Sequence, residues 1–294
     1  MPSTALTDTN IRFRKFGTVP PTHGKDHTKA ENMSETASHH TTDEVLVERR
    51  NGVQIITINR PRAKNALNAA VARTIADAVD ELDSSDDLRV GVLTGAGGAF
   101  SAGMDLKAFL RGESPDIPGR GLAGITITPP EKPLIGAVEG WALAGGFELL
   151  LACDLVIAAQ TAKFGVPEVR RSLVAAAGGA LLLPQRVPPA IAMEMLITGE
   201  PITAERAAEI GLINRLTPEG GALDGALELA AQIAENGPLA VAATKQVARS
   251  AADWTRAEGW QQQKKIIDPV FASEDAREGA NAFAEKRRPV WQGR

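Results

Sequence analysis

Two glutamates, Glu148 and Glu168, stand twenty residues apart, and much of what separates them is apolar. Glu148 follows Gly145 by three residues at the start of a helical pattern. That spacing lets its carboxylate and the Gly145 amide face the same side. A carboxylate pair suits acid–base chemistry, in which one group takes a proton while the other delivers one. A second reading of Glu168 also stands. It comes just after Pro167 and fits a solvated charge in a first helical turn, where the dipole favours acids.

Histidine cannot share the task. His23, His27, His39 and His40 are the only histidines, and all lie in the first forty residues. That segment is polar, low in aliphatics and rich in Thr, Ser and Pro, so residues 1–43 read as a disordered extension. The remaining body has no imidazole, which excludes Ser-His-Asp and Cys-His nucleophile systems. It also excludes histidine-ligated zinc, and no metal is expected. Chemistry near neutral pH then falls to Asp, Glu or Lys with a shifted pKa. The single cysteine, Cys153, rules out an intrachain disulfide and favours a reducing, cytoplasmic setting. Cys153 itself reads as a small buried hydrophobe.

The 294 residues carry a net charge of −4, with 23% charged and 44% apolar residues. This balance gives no general attraction to nucleic acid or to an anionic membrane. No run reaches the roughly eighteen apolar residues of a membrane span. The N-terminus lacks the apolar core of a secretory signal. Its bases Arg12, Arg14 and Lys15 are interleaved with Asp8, Asp26, Glu31 and Glu35, against a transit peptide. Met33 is an alternative start.

The candidate residues need elements to hold them. "EVLVERR", "NG" and "VQIITIN" form a hairpin over 44–59, around an Asn-Gly turn. A helix over 68–83 follows, with Asn68 as N-cap and Val71, Ile75, Ala78 and Leu82 on one face. Strands are expected at 89–95, 134–140 and 154–159, and a short helix at 146–152. The Pro/Gly-rich stretch at about 112–130 reads as mobile. From Pro188 the pattern is helical, with breaks at Gly199–Pro201, Gly211, Gly237–Pro238 and Asp268–Pro269. The chain is α/β over 44–200, with a helical region over 201–294.

Two glycine-rich turns, residues 95–109 and 139–152, each lie between a strand and a helix. Glycine lets a ligand approach the backbone, and a helix start leaves amide donors unpaired. Tight packing of helix on sheet accounts for either turn alone. Neither matches a Walker loop or a dinucleotide fingerprint. Two amides, one from each turn, can instead grip a single oxygen as an oxyanion hole.

"FSAGMDLKAF", "GWALAGGFELLLACDLVIAA" and "AKFGVPEV", with "NRPRAKNALN" and "SEDAREGANAFAEKRRPVW", resemble the crotonase, or enoyl-CoA hydratase/isomerase, family over residues 44–294. "PPAIAMEMLITGE" and the closing stretch look most like the carnitinyl-CoA dehydratase branch. The resemblance implies a spiral of ββα units whose helical C-terminal region packs subunits into trimers, or dimers of trimers. It assigns the oxyanion amides to Met104 and Gly145 and catalysis to Glu148 and Glu168. It implies an acyl-CoA thioester as substrate, with coenzyme A part of that substrate and no separate cofactor. Binding positions are implied at Ala63, along Met104, Asp105, Leu106 and Lys107, and at Phe283 and Lys286 supplied by a neighbouring subunit. For Lys286 a solvated basic cluster is an equal reading.

Retention of both glutamates favours hydration or dehydration over isomerisation of the double bond, and over a non-catalytic member. The sequence departs from the short-chain hydratase pattern at Ser172, Ala175 and Ala176, which replace Gly, Pro and Gly. That segment shapes the acyl pocket, so the acyl group stays open. Trp141 and Phe147 are either pocket walls or core.

Overall fold

Asn51 and Gly52 both adopt positive φ, 52° and 77°, as a two-residue type I′ hairpin requires. Around them β1 (Val45–Arg50) pairs antiparallel with β2 (Val53–Ile58), from Val45↔Ile58 to Arg50↔Val53. This computed structural model describes residues 43–294. The four histidines, Met33 and all but the last residue of the 1–43 extension lie outside the described residues.

A 3-10 turn, Pro61–Ala63, leads to α1 (Ala69–Ser84). Asn68 caps it as the sequence indicates, its Oδ1 accepting from Val71 N at 2.8 Å. Val71, Ile75, Ala78 and Leu82 are buried on one face. Then come β3 (Val90–Gly95), α2 (Leu106–Leu110), β4 (Asp116–Ile117), β5 (Gly121–Leu122), β6 (Leu134–Val138), β7 (Trp141–Leu143), α3 (Gly145–Ala152), β8 (Leu155–Ala159) and β9 (Lys163–Gly165). The rest is α4 (Gly179–Arg186), α5 (Pro189–Thr198), β10 (Ile202–Thr203), α6 (Ala204–Glu209), β11 (Arg215–Thr217), α7 (Ala222–Ala234), α8 (Pro238–Ser250), α9 (Arg256–Phe271) and α10 (Glu274–Glu285).

The main sheet has the order β1-β2-β3-β6-β8-β11 and is parallel except for the first hairpin. A second sheet, β10-β9-β7, lies alongside. The chain feeds the two in turn: β6, β7, α3, then β8, β9, α4. Earlier turns repeat the scheme with single-residue bridges. Leu67 pairs with Met104, and Ser101 pairs with Ala142. The result is the expected spiral of ββα units. Because both glycine turns sit at the joint between the second strand and the helix, the spiral stacks them side by side.

One face of the main sheet is covered by α1, α3 and the second sheet, the other by α7, whose Ala222, Ala226 and Ala230 pack on Val53, Val90, Val92 and Ile157. Three findings differ from the sequence reading. The stretch after 200 is not helix alone, since β10 and β11 join the two sheets and α7 closes the body. The helix at 268–269 does not break: α9 runs through Pro269 to Phe271. Pro269 sits in the last turn, where its missing N–H and its clash with the preceding carbonyl are confined to one end of the helix. Finally, the 112–130 stretch is a packed hairpin. Leu122, Ala123 and Ile125 are buried, and Arg120 binds Asp80 and the Gly124 carbonyl. Its Gly and Pro serve turns rather than disorder. Among the described residues no helix is long and apolar enough to cross a membrane.

Candidate active site

The first glycine turn is held from beneath by Asn65. This buried amide donates to the carbonyls of Ala96 and Ala99 at 2.8 and 2.7 Å and accepts from Arg60 N. The Ser101 hydroxyl donates to the Asn65 carbonyl and accepts from Gly103 N. Leu67 then takes the next peptides: its N–H donates to Gly103 O, and its carbonyl accepts from Asp105 N. In a parallel bridge of this kind the intervening residue's N–H points the opposite way. That residue is Met104, and its amide has no acceptor among the described residues.

The second turn arrives through Ala144, whose backbone (φ 50°, ψ −131°) is unusual for a residue with a side chain. Its N–H is tied to Gly165 O in the second sheet, and its carbonyl starts α3 by accepting from Glu148 N. Gly145 opens α3 with an N–H that has no acceptor among the described residues, as expected at a helix start. The two amides are neighbours. A Cβ built on Gly145 would stand 3.5 Å from Met104 N, and one on Gly103 would stand 2.8 Å from Gly145 N. Only glycine fits at Gly103, where φ is also positive.

Glu148 lies in the first turn of α3 and is buried. Burial pushes its pKa up to about 7, and the charges of Glu168 and Asp116 push the same way. The Gly179 N–H, 2.9 Å from Oε1, and the Ala177 backbone oppose the shift. Glu168 sits in a 3-10 turn, Pro167–Arg171, entered from β9. It is not a fully solvated charge. Oε2 is buried and, among the described residues, has no hydrogen-bond partner. Burial raises its pKa as well, partly offset by its own backbone N–H and by Arg171. Two coupled carboxylates with raised pKa values hold a proton into the neutral range.

Gly179 was not singled out in the sequence. It closes "SLVAAAGG", the segment that departs from the familiar pattern, and a Cβ there would meet Ala175 Cβ at 2.7 Å and Glu148 Oε1 at 3.1 Å. Ala175 is buried, and Ser172 adopts the left-handed conformation, φ 54°. So the replaced residues still deliver the Gly179 amide to Glu148. Phe147 is core, tilted against Phe164 with centroids 6.2 Å apart. Trp141 is instead on the surface, with Lys163 Nζ 5.0 Å above its ring. Burial pushes the Cys153 thiol up to about 12, which leaves it inert.

Arg60 joins the remaining candidates. It reaches Asp105 Oδ2 at 3.0 Å and the Ala66 carbonyl, which draws the Ala63 turn to the Met104–Lys107 segment. Asp105 is occupied as N-cap of α2, accepting from Lys107 N and Ala108 N. The Ala108 N–H and Arg60 hold its carboxyl below the usual range, against burial. Leu106 and Lys107 are exposed beside it. Phe283, 88% exposed, is on α10, and Lys286 caps that helix. Neither bonds to the other candidates within the chain. Among the described residues no group of three or more His, Cys, Asp or Glu could hold a metal ion.

Two amides without acceptors among the described residues, beside two carboxylates with raised pKa values, can together grip a carbonyl oxygen and move protons next to it. The chain belongs to the enoyl-CoA hydratase/isomerase family, whose model matches residues 48–294. A carnitinyl-CoA dehydratase of Salmonella paratyphi A is 44% identical over 83% of this chain and 97% of its own. Enoyl-CoA hydratase EchA19 of Mycobacterium tuberculosis is 44% identical over 85% of this chain and 97% of its own. Among solved structures, an enoyl-CoA hydratase of M. tuberculosis H37Rv superposes with a TM-score of 0.85 at 58% identity, covering 86% of this chain and all of the other. A carnitinyl-CoA hydratase of Mycobacterium avium gives 0.69 at 46% identity, over 86% of this chain and 100% of its own.

Proposed function

We propose that this chain is a hydro-lyase that adds water reversibly to the double bond of a 2-enoyl-CoA thioester, giving the 3-hydroxyacyl-CoA. The observation that carries the reading is Glu148, buried with a pKa of about 7 beside Glu168 and three residues from a free amide. Met104 and Gly145 bind the thioester oxygen and stabilise the enolate that develops there. Removal of one such donor typically costs ~3–4 kcal/mol of barrier. One member of the carboxylate pair takes a proton from water as it attacks C3. The other, still protonated, delivers a proton to C2 from the same face, so the addition is syn. The pair needs one proton between its members, and their raised pKa values supply that state near neutrality.

The CoA moiety runs past Ala63 and the Asp105–Lys107 backbone. Phe283 and Lys286 of a neighbouring subunit complete its site in a trimer or dimer of trimers. Lys286 acts there as a point charge toward phosphate. A carnitinyl-CoA-type dehydratase with a specialised acyl group is the same chemistry run in reverse, and the 44% identical carnitinyl-CoA dehydratases favour keeping it in view.

Product mass, read together with the ultraviolet absorbance of the conjugated 2-enoyl thioester, after incubation with a 2-enoyl-CoA and, separately, a 3-enoyl-CoA decides the reaction. A gain of one water from the 2-enoyl ester supports hydration. A shifted double bond without added mass would make the chain an isomerase. Glu148→Gln and Glu168→Gln should each lower kcat by ~10²–10⁴. The double variant should fall far short of the product of the two losses, because the pair acts as a unit.

A further inference from the structure

A cavity of about 820 Å³ lies at the far ends of α3 and α4, away from the Gly179–Glu148 contact made at their beginnings. Each helix has eight residues, so roughly 12 Å of helix separates the two places. None of the catalytic candidates lines this cavity. Its volume falls within the ~300–1,000 Å³ of pockets that hold small molecules. Much of its wall is aliphatic, from Leu151, Leu155, Leu182, Ile233 and Val241. Thr244 and Ala248 stand on its rim and are exposed.

The ionisable groups that line it are three cations, Arg186, Lys245 and Arg249, and one acid, Asp154. Asp154 Oδ2 takes Lys245 Nζ at 2.7 Å, and Oδ1 takes Arg249 Nε at 2.8 Å. Arg186 has no carboxylate. Its guanidinium donates instead to the carbonyls of Leu151 and Cys153 at the end of α3. Donors are left over. Arg186 Nε and Arg249 Nη1 have no acceptor among the described residues, and Lys245 spends two of its three, on Asp154 and on the Lys132 carbonyl. The Lys245 side chain is only 9% exposed. Burial, joined at Arg186 by the charge of Arg249, holds Lys245 and Arg186 below their ordinary pKa values, so an added negative charge would relieve both. Asp83 also acts on Lys245, but it does not line the cavity and is itself faced by Lys132.

We propose that this cavity is a second binding site, for a single-chain amphiphile with a carboxylate head. The aliphatic wall takes the chain, and Arg186, Lys245 and Arg249 take the head. Three open donors suit the two oxygens of a carboxylate, whereas a phosphate brings three strong acceptors and more charge. The site stands apart from the hydratase reading, since it shares no residue with it.

Calorimetric titration of the full chain with decanoate tests the site. Wild type should bind one decanoate per chain. Decanol, which keeps the chain and loses the charge, should bind at least about tenfold more weakly. Arg249→Gln should cost decanoate about tenfold, and Ala248→Phe, which fills the rim without changing charge, should abolish binding. Excess decanoyl-CoA should leave the decanoate affinity unchanged. Equal binding of decanol, or unaltered binding in both variants, would overturn the proposal. Displacement by decanoyl-CoA would place decanoate at the catalytic site instead, and tighter binding of decyl phosphate would overturn the carboxylate head. No heat with wild type would also sink it, the result expected were a second copy of the chain to close the cavity.

Discussion

The Gly179 N–H reaches Glu148 Oε1 across 2.9 Å, joining the start of α4 to the first turn of α3. This is the contact that keeps a buried carboxylate usable. Burial alone would drive its pKa further up and leave it protonated throughout the physiological range. The opposing amide holds it near 7.

Gly179→Ala tests that contact. The new methyl would meet Ala175 Cβ at 2.7 Å and Glu148 Oε1 at 3.1 Å, so the helix start must retreat. We expect a stability loss of ~1–3 kcal/mol from overpacking. The pKa that governs the pH–rate profile should also rise. Adding Ala175→Gly should recover stability, while the profile remains shifted as long as the amide is displaced. A normal profile in Gly179→Ala would show that the amide does not tune Glu148.

The same pKa makes a stability prediction. Below its ordinary value near 4.5, Glu148 is protonated in both folded and unfolded chains and contributes nothing. Between 4.5 and about 7 the unfolded chain gives up the proton and the folded chain keeps it, so stability falls as pH rises. Above about 7 the full penalty, roughly 3 kcal/mol, is in force. Glu168 adds to it with the same sign. In Glu148→Gln, urea titrations at stepped pH should show a shallower decline between pH 5 and 7. A slope identical to wild type would mean that Glu148 ionises normally.

Phe283 and Lys286 test assembly. Phe283 is 88% exposed, so Phe283→Ala removes little packing from its own subunit and should leave the melting temperature nearly unchanged. If α10 serves a neighbour's CoA site, Phe283→Ala and Lys286→Ala should raise KM several-fold with little change in kcat, and thioesters of dephospho-CoA or of pantetheine should be affected less. Mixing Lys286→Ala subunits with Glu148→Gln subunits should restore activity, because some sites then draw intact parts from both. Failure to complement, with subunit exchange verified, would place the CoA contact within one chain.

Much of this arrangement could be read from local sequence. Asn51-Gly52 specifies the first hairpin, and Asn68 fixes the start of α1, because each signal lies within a few residues of its effect. Glu148 and Gly145 share a helical turn, so their common orientation was legible too. What escaped depends on distant contacts. Gly179 meets Glu148 across thirty-one residues of chain. Met104 is aimed by Leu67, through a bridge one residue long that no periodicity reveals. β7, β9 and β11 have three residues each, too few for an alternating pattern. Pro269 misled for a different reason: its missing N–H and its clash fall on the preceding turn, so Val270 and Phe271 stay helical and the chain breaks only before the Ser273 cap of α10.

Gly145→Ala separates the oxyanion role from the packing role of the second glycine turn. The φ of Gly145 is not positive, so alanine can adopt its backbone and the N–H donor is retained. The added methyl would stand 3.2 Å from Leu122 Cδ2 and 3.5 Å from Met104 N. The first contact is with the end of a flexible side chain and yields cheaply. The second fills the space between the two donors, where the proposed mechanism seats the thioester oxygen. We therefore expect a folded protein with a melting temperature within a few degrees of wild type. Its kcat/KM should nevertheless fall by ~10²-fold or more. If packing were the purpose of this glycine, the order would reverse, with a large stability loss and normal activity in the folded fraction. Leu122→Ala in the same background sharpens the comparison. It removes the methyl's steric neighbour, at the ~2–5 kcal/mol cost of truncating a buried leucine, but activity should stay low because the methyl still occupies the hole. Recovery of full activity in the double variant would show that Gly145 serves packing and that the enolate oxygen is held elsewhere.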